Sequence, residues 1–198
     1  MISAPVNVLA VAGSLNRNSV TCVVIKLIAQ RLTEAGAQVD VLDLAEEPLP
    51  MFNPESSHKQ ESFPKLKARV DVADVLLLGT PDYHGSVSGT MKNFLDHFWQ
   101  EFAGKLFASV VASHEKGLTV TDQLRTVARQ CYAWSMPYAV SFADKADVKD
   151  GQIISDSFKQ RVAMFVRDVR VYGEVLAQQR QADLAGTDLG FLAKHRKR

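Results

Sequence analysis

Cysteine is scarce in this chain, with Cys22 and Cys131 the only two in 198 residues. They form no C-x-x-C pair, and each falls in a helical pattern. A dithiol redox centre or thiolate metal site therefore has no support, and both read as small core residues. A charge surplus is lacking too: 23 Lys+Arg against 22 Asp+Glu leave +1. Nothing in that balance calls for a nucleic-acid or membrane partner. No apolar run approaches the ~20 residues of a spanning helix. The start, Met1-Ile2-Ser3-Ala4-Pro5, carries no signal-peptide pattern, so a cytoplasmic protein is expected. What remains, at 46% hydrophobic residues, is one domain able to bury a substantial core.

Glycine is thin where a nucleotide loop would need it. Residues 6–12 are nearly all apolar and read as a strand buried on both faces. After Gly13-Ser14-Leu15-Asn16-Arg17-Asn18-Ser19 the spacing of Val20, Val23, Val24, Leu27, Ile28 and Leu32 turns helical, with Ser19 as N-cap. A strand, a polar turn and a helix start suit an anion, because free N–H groups and the positive helix end converge there. Only Gly13 is present, so the G-x-G-x-x-G dinucleotide loop is missing, and so is the triphosphate loop. The turn is instead rich in side-chain donors. Ser14, Asn16, Arg17 and Ser19 can meet the three oxygens of a phosphomonoester, as in FMN. An ordinary capped helix after a strand explains the same pattern.

Strands and helices then alternate, which predicts a parallel sheet covered on both sides. Residues 38–44 read as the second strand, 65–72 as a short helix and 75–78 as a central strand. Between them, residues 45–63 form a long proline-rich connection, bordering either a site or bare surface. Gly89 opens a helix whose Met91, Phe94, Leu95, Phe98 and Phe102 share an apolar face, with Asp96, His97 and Trp99 off it. Residues 106–112 and 138–142 give the fourth and fifth strands, and a long last helix fades near Gln181 into a basic, solvated tail. The expected division is a domain over 1–180 and a tail over 181–198.

The central strand runs straight into Gly79-Thr80-Pro81-Asp82-Tyr83-His84-Gly85-Ser86-Val87-Ser88-Gly89-Thr90-Met91-Lys92-Asn93. In an open parallel sheet, ligands sit beyond the carboxyl ends of strands where the strand order reverses. Both unusual loops are expected there, with Tyr83 and His84 offering flat rings; a packed turn tyrosine and a solvated histidine are the plainer readings.

Residues 81–93 resemble the pattern P-E-Y-[NH]-G-S-x-x-G-x-[LM]-K-N of the NADPH-dependent FMN reductases, with Asp82 in place of the usual Glu. The likeness extends from the first strand to the last helix. It departs from the family's G-S-L-R-x-x-S loop, where Asn16 holds the Arg position and Arg17 follows. The resemblance implies an α/β, flavodoxin-like three-layer sandwich with a five-stranded parallel sheet in the order 2-1-3-4-5. It implies that Ser14, Asn16, Arg17 and Ser19 bind the FMN phosphate, and that Pro81, Asp82, Tyr83, His84, Gly85 and Ser86 lie along the flavin. The amides of residues 84–86 would face the ring's N5 and O4 edge. A third loop would start at Ser113 and hold its pyrimidine edge, with Lys116 near the reduced ring. No side chain is implied as catalytic, and no metal. NADPH, or NADH, would be co-substrate; a quinone, azo dye, ferric or chromate species or free flavin would be acceptor, by ping-pong turnover. A homodimer or homotetramer is implied. A flavodoxin-type electron carrier and a flavin sensor without turnover are the rival functions.

Overall fold

The computed structural model describes residues 4–16 and 18–196. Its centre is β1 (Asn7–Ala12), whose side chains alternate between two cores. Val8, Ala10 and Ala12 join Val24, Ile28, Phe165 and Val169 on one face. Leu9 and Val11 join Val70, Phe94, Phe98 and Leu124 on the other. The period of two along a strand thus builds two cores from one apolar run. Helices α1 (Val20–Glu34) and α5 (Asp156–Ala185) cover the first face. Helices α2 (Phe63–Val72), α3 (Gly89–Asp96) and α4 (Leu118–Gln130) cover the second.

The parallel sheet runs β2 (Gln38–Asp43), β1, β3 (Val75–Tyr83), β4 (Leu106–Ala112), β5 (Val140–Phe142), which is the expected 2-1-3-4-5 order. Three details differ from the sequence reading. The strand beside β4 comes in two pieces: Trp134–Ser135 pairs with its start and β5 with its end, and Pro137, which has no N–H to give, falls in the gap. Helix α3 stops at Asp96, short of the single helix expected through Phe102; three consecutive aromatic rings, His97, Phe98 and Trp99, are weak helix formers, and a separate turn, Gln100–Phe102, follows. His97 was expected off the apolar face. It is only 4% exposed, because the helix end turns it against Phe52.

The carboxyl end holds a further difference. Beyond Gln181, where a solvated tail was expected, α5 continues to Ala185 and the chain returns to bury Leu192, 2% exposed. Lys194 lies over the Tyr132 ring at 3.7 Å, and Arg196 donates to the carbonyl oxygens of Asp183 and Asp188. A buried leucine, one satisfied helix-end carbonyl and one loop carbonyl fasten this segment as a tail of lone charges would not be. No helix among the described residues is long and apolar enough to cross a membrane.

Candidate functional site

Three loops leave the carboxyl ends of β1, β3 and β4, and hydrogen bonds tie them into one edge. The first begins at Gly13, whose N–H donates to the Gly79 carbonyl at 2.7 Å. A Cβ at Gly13 would sit 2.9 Å from Met91 Cβ and 3.0 Å from the Gly79 carbonyl oxygen, so a larger residue would force the backbone here to shift. Ser14 is buried, and its Oγ accepts from the Asn16 N–H at 3.4 Å. Asn16 Oδ1 accepts from Asn18 N–H at 2.9 Å, shaping the turn. Ser19 caps α1 as expected, its Oγ accepting from Cys22 N–H at 3.3 Å. Arg17 lies outside the described residues.

The second loop is a hairpin that the sequence reading did not foresee. β3 continues past Leu78 to Tyr83, turns at His84-Gly85 and returns antiparallel through Ser86–Val87. His84 and Gly85 both have positive φ, 58° and 75°, the two-residue turn that matches strand twist. Pro81 is buried beneath the hairpin, while Tyr83, 53% exposed, and His84 stand at its tip. Gln123 of α4 holds the returning strand: its Oε1 accepts from Ser86 Oγ at 3.0 Å and Val87 N–H at 3.2 Å, and its Nε2 donates to the Gly85 carbonyl at 3.3 Å.

Asp82 joins the second loop to the third. One carboxylate oxygen accepts from Gly85 N–H at 2.8 Å and the other from Ser113 Oγ at 2.8 Å, and Ser113 Oγ in turn accepts from Glu115 N–H. The Gly85 amide, expected toward a flavin edge, donates to Asp82 instead. Lys116 and Gly117, both at positive φ, then open α4, with Lys116 exposed.

Ser88 joins the second loop to the first. It is 3% exposed; its Oγ donates to the Gly13 carbonyl at 2.6 Å and, as N-cap of α3, accepts from Met91 N–H at 3.1 Å. Sequence reasoning gave no role to Ser88 or Gln123. A serine just before an apolar helical pattern is a cap signal for the first; nothing in the sequence marked the second, whose partners lie 36–38 residues away.

Beside these loops lies a cleft of about 400 Å³ that brings together Ser14, Asn16 and Tyr83 with Leu15, Leu44, Pro48, Leu49 and Met51. Ser19, Pro81, Asp82, His84, Gly85, Ser86 and Ser113 do not line it. The long connection between β2 and α2 is therefore one wall of the cleft. Cys22, half-buried, has its thiol pushed up chiefly by burial, and burial raises that of Cys131 to about 11. Neither is a thiolate near neutrality. No group of three metal-ligating side chains occurs among the described residues.

The chain is 28% identical over 173 residues to the FMN-dependent NADPH-azoreductase of Staphylococcus aureus, covering 81% of this chain and 92% of the relative. Among solved structures it resembles FerB, a flavoenzyme NAD(P)H:(acceptor) oxidoreductase from Paracoccus denitrificans, with a TM-score of 0.71, 23% identity, and 85% and 97% of the two chains covered. An NADH:FMN oxidoreductase, EMOB, in its apo form gives 0.70 at 18% identity, covering 84% and 89%. At such identities these structures speak for the fold alone. The family model described as NADPH-dependent FMN reductase matches residues 6–147, from the first strand through all three loops. On that match, the chain belongs to the NADPH-dependent FMN reductase family.

Proposed function

We propose that this oxidoreductase holds FMN along the edge formed by its three loops, takes reducing equivalents from NADPH and delivers them to small acceptors in two separate half-reactions. The observation that carries the reading is the state of two hydroxyls. Ser14 and Ser19 each use a lone pair to accept an N–H of their own turn, which leaves both O–H protons for an outside anion. With the Asn16 amide and the first-turn N–H groups of α1, they are the donor set that a phosphomonoester needs.

When bound, FMN supplies two-electron chemistry, so that NADPH, a proton and a quinone give NADP⁺ and a hydroquinone. The chain's own part is to bind and orient. Ser14, Asn16 and Ser19 hold the phosphate end. Tyr83 and His84 present flat rings at the hairpin tip, which Gln123 and the Asp82–Ser113 bond keep rigid. No side chain is asked to hold a reacting proton. A fixed hairpin costs no reorganisation during turnover.

We place the enzyme in the cytoplasm, where NADPH is regenerated and two unpaired thiols persist. We propose a homodimer or homotetramer as well: an apolar groove of about 680 Å³ between α3 and α4, walled by Val87, Leu95 and Val127, lies next to the site. Sedimentation giving only a monomer sinks that part.

The cofactor is tested by spectrum and titration. Purified protein should be yellow or take up added FMN one to one, and anaerobic NADPH should bleach it. Colourless protein that ignores FMN overturns the proposal. An electron carrier of the same fold would bleach without turning over many times on NADPH and a quinone, so steady-state turnover separates the two.

A further inference from the structure

The long connection forming one wall of the cleft is 19 residues of proline-rich chain (residues 44–62) with no helix or strand beyond the short turn Ser57–Lys59. Such a stretch wanders unless something holds it. Arg69 and Lys26 pair with Glu47 and Glu46 at its start, and the 49–52 part is held from α3 by one side chain. Asn93 Oδ1 accepts from Phe52 N–H at 2.7 Å, and Asn93 Nδ2 donates to the carbonyl oxygens of Pro50 at 3.0 Å and Leu49 at 3.4 Å. One amide thus satisfies three backbone groups across 41 to 44 residues of sequence. Phe52 completes the fastening, its ring packed edge-on against His97 at 5.2 Å and His58 at 5.9 Å. His97 Nδ1 lies 2.8 Å from the carbonyl of Asn93 itself.

The residues so held are those that face the cleft. Pro48, Leu49 and Met51 line it together with Leu15 and Tyr83, and among the described residues its lining carries no charged side chain. With the donors Ser14 and Asn16 taken by the FMN phosphate, a second ion meeting the 48–51 wall loses hydration without finding a partner there, whereas a flat apolar molecule gains burial. Asn93 reaches the same cleft from α3, the helix whose cap, Ser88, ties down the phosphate loop.

We infer that Asn93 is a positioning residue that, with Phe52, buckles the 48–51 segment into an apolar wall and thereby selects flat, uncharged electron acceptors over anionic ones. The inference rests on the reductase reading above for its substrate, though not for the buckle itself. The fastening is tested without cofactor: in FMN-free protein, Asn93→Ala should speed hydrogen exchange at the Phe52 amide about tenfold or more.

Acceptor choice is tested in the FMN-loaded enzyme with 2-methyl-1,4-naphthoquinone, flat and neutral, against ferricyanide, a trianion of which two are reduced per NADPH. Asn93→Ala should raise KM for the naphthoquinone about tenfold with kcat little changed, and move that for ferricyanide by no more than about twofold. Phe52→Ala leaves Asn93 intact and does not line the cleft, so it should reproduce the same split even where Asn93→Ala folds poorly. Equal shifts for both acceptors, or a naphthoquinone KM that stays put, overturn the selectivity. Unchanged Phe52 exchange overturns the buckle alone, whereas wild-type protein that takes up no FMN sinks the reductase reading and the acceptor claim with it.

Discussion

Replacing Ser88 by alanine removes one oxygen that serves two loops. Ser88 Oγ donates to the Gly13 carbonyl at 2.6 Å and accepts Met91 N–H at 3.1 Å, in a position only 3% exposed. Loss of an N-cap costs about 1 kcal/mol. A buried carbonyl left without its donor costs about 1–3 kcal/mol more. Because both losses fall on the same atom, we expect about 2–4 kcal/mol in all, or roughly 4–16 °C in Tm for a domain this size. Ser62→Ala is the control: Ser62 begins α2 but makes no capping bond, so its removal should stay within about 0.5 kcal/mol. The assay is thermal melting of both variants, followed by FMN titration. Gly13 opens the loop we propose to hold the FMN phosphate, so Ser88→Ala should also weaken FMN about tenfold, the equivalent of ~1.4 kcal/mol. A Ser88→Ala melt within about 2 °C of wild type, or one matched by Ser62→Ala, would refute the claim that Ser88 locks the two loops together.

Asp82→Asn keeps one acceptor oxygen and so cannot serve both Gly85 N–H and Ser113 Oγ; FMN affinity should fall severalfold while Tm drops by only a few degrees, as titration and melting would register. Leu192→Ala should cost about 2–4 kcal/mol in urea unfolding, as for any buried leucine, and a near-neutral result would mean that the carboxyl segment is not docked. Lys105, 1% exposed, donates to the carbonyls of Val70, Asp71 and Ala73 at the end of α2, and burial, followed by the charge of Arg180, brings its pKa down to about 7. Between pH 7 and 10.5 the unfolded chain then binds more protons at this lysine than the folded one, so its contribution to stability rises with pH and is lost as pH falls through 7. Lys105→Met should be less stable than wild type, with a gap in urea midpoint that widens from pH 7 to pH 9.5; a constant or narrowing gap would contradict the assignment.

The strands and helices were legible because burial imposes a period. β1 reads as a buried run since each of its faces meets a core, and α1 announces itself by both its apolar spacing and its Ser19 cap. The loop chemistry was legible only in residue type. That Ser14 and Tyr83 share a cleft followed from strand order, which places the ends of β1 and β3 side by side. That Asp82 is a strut between Gly85 and Ser113 did not follow, because its partner lies 31 residues on and a carboxylate in a motif looks the same whether it faces a ligand or a neighbouring loop.

His97 and Leu192 were misread for a related reason. Periodicity assigns faces only while a helix lasts, and α3 ends one residue before His97. Sequence spacing therefore locates this site through its strand ends, while its rigidity comes from single polar atoms, Ser88 Oγ, the Asp82 carboxylate, the Gln123 and Asn93 amides, whose partners are fixed only once the sheet has formed. Such atoms carry no periodic signature. Residues of this kind should accordingly show their largest mutational effects on ligand affinity and acceptor choice, and comparatively small ones on secondary structure.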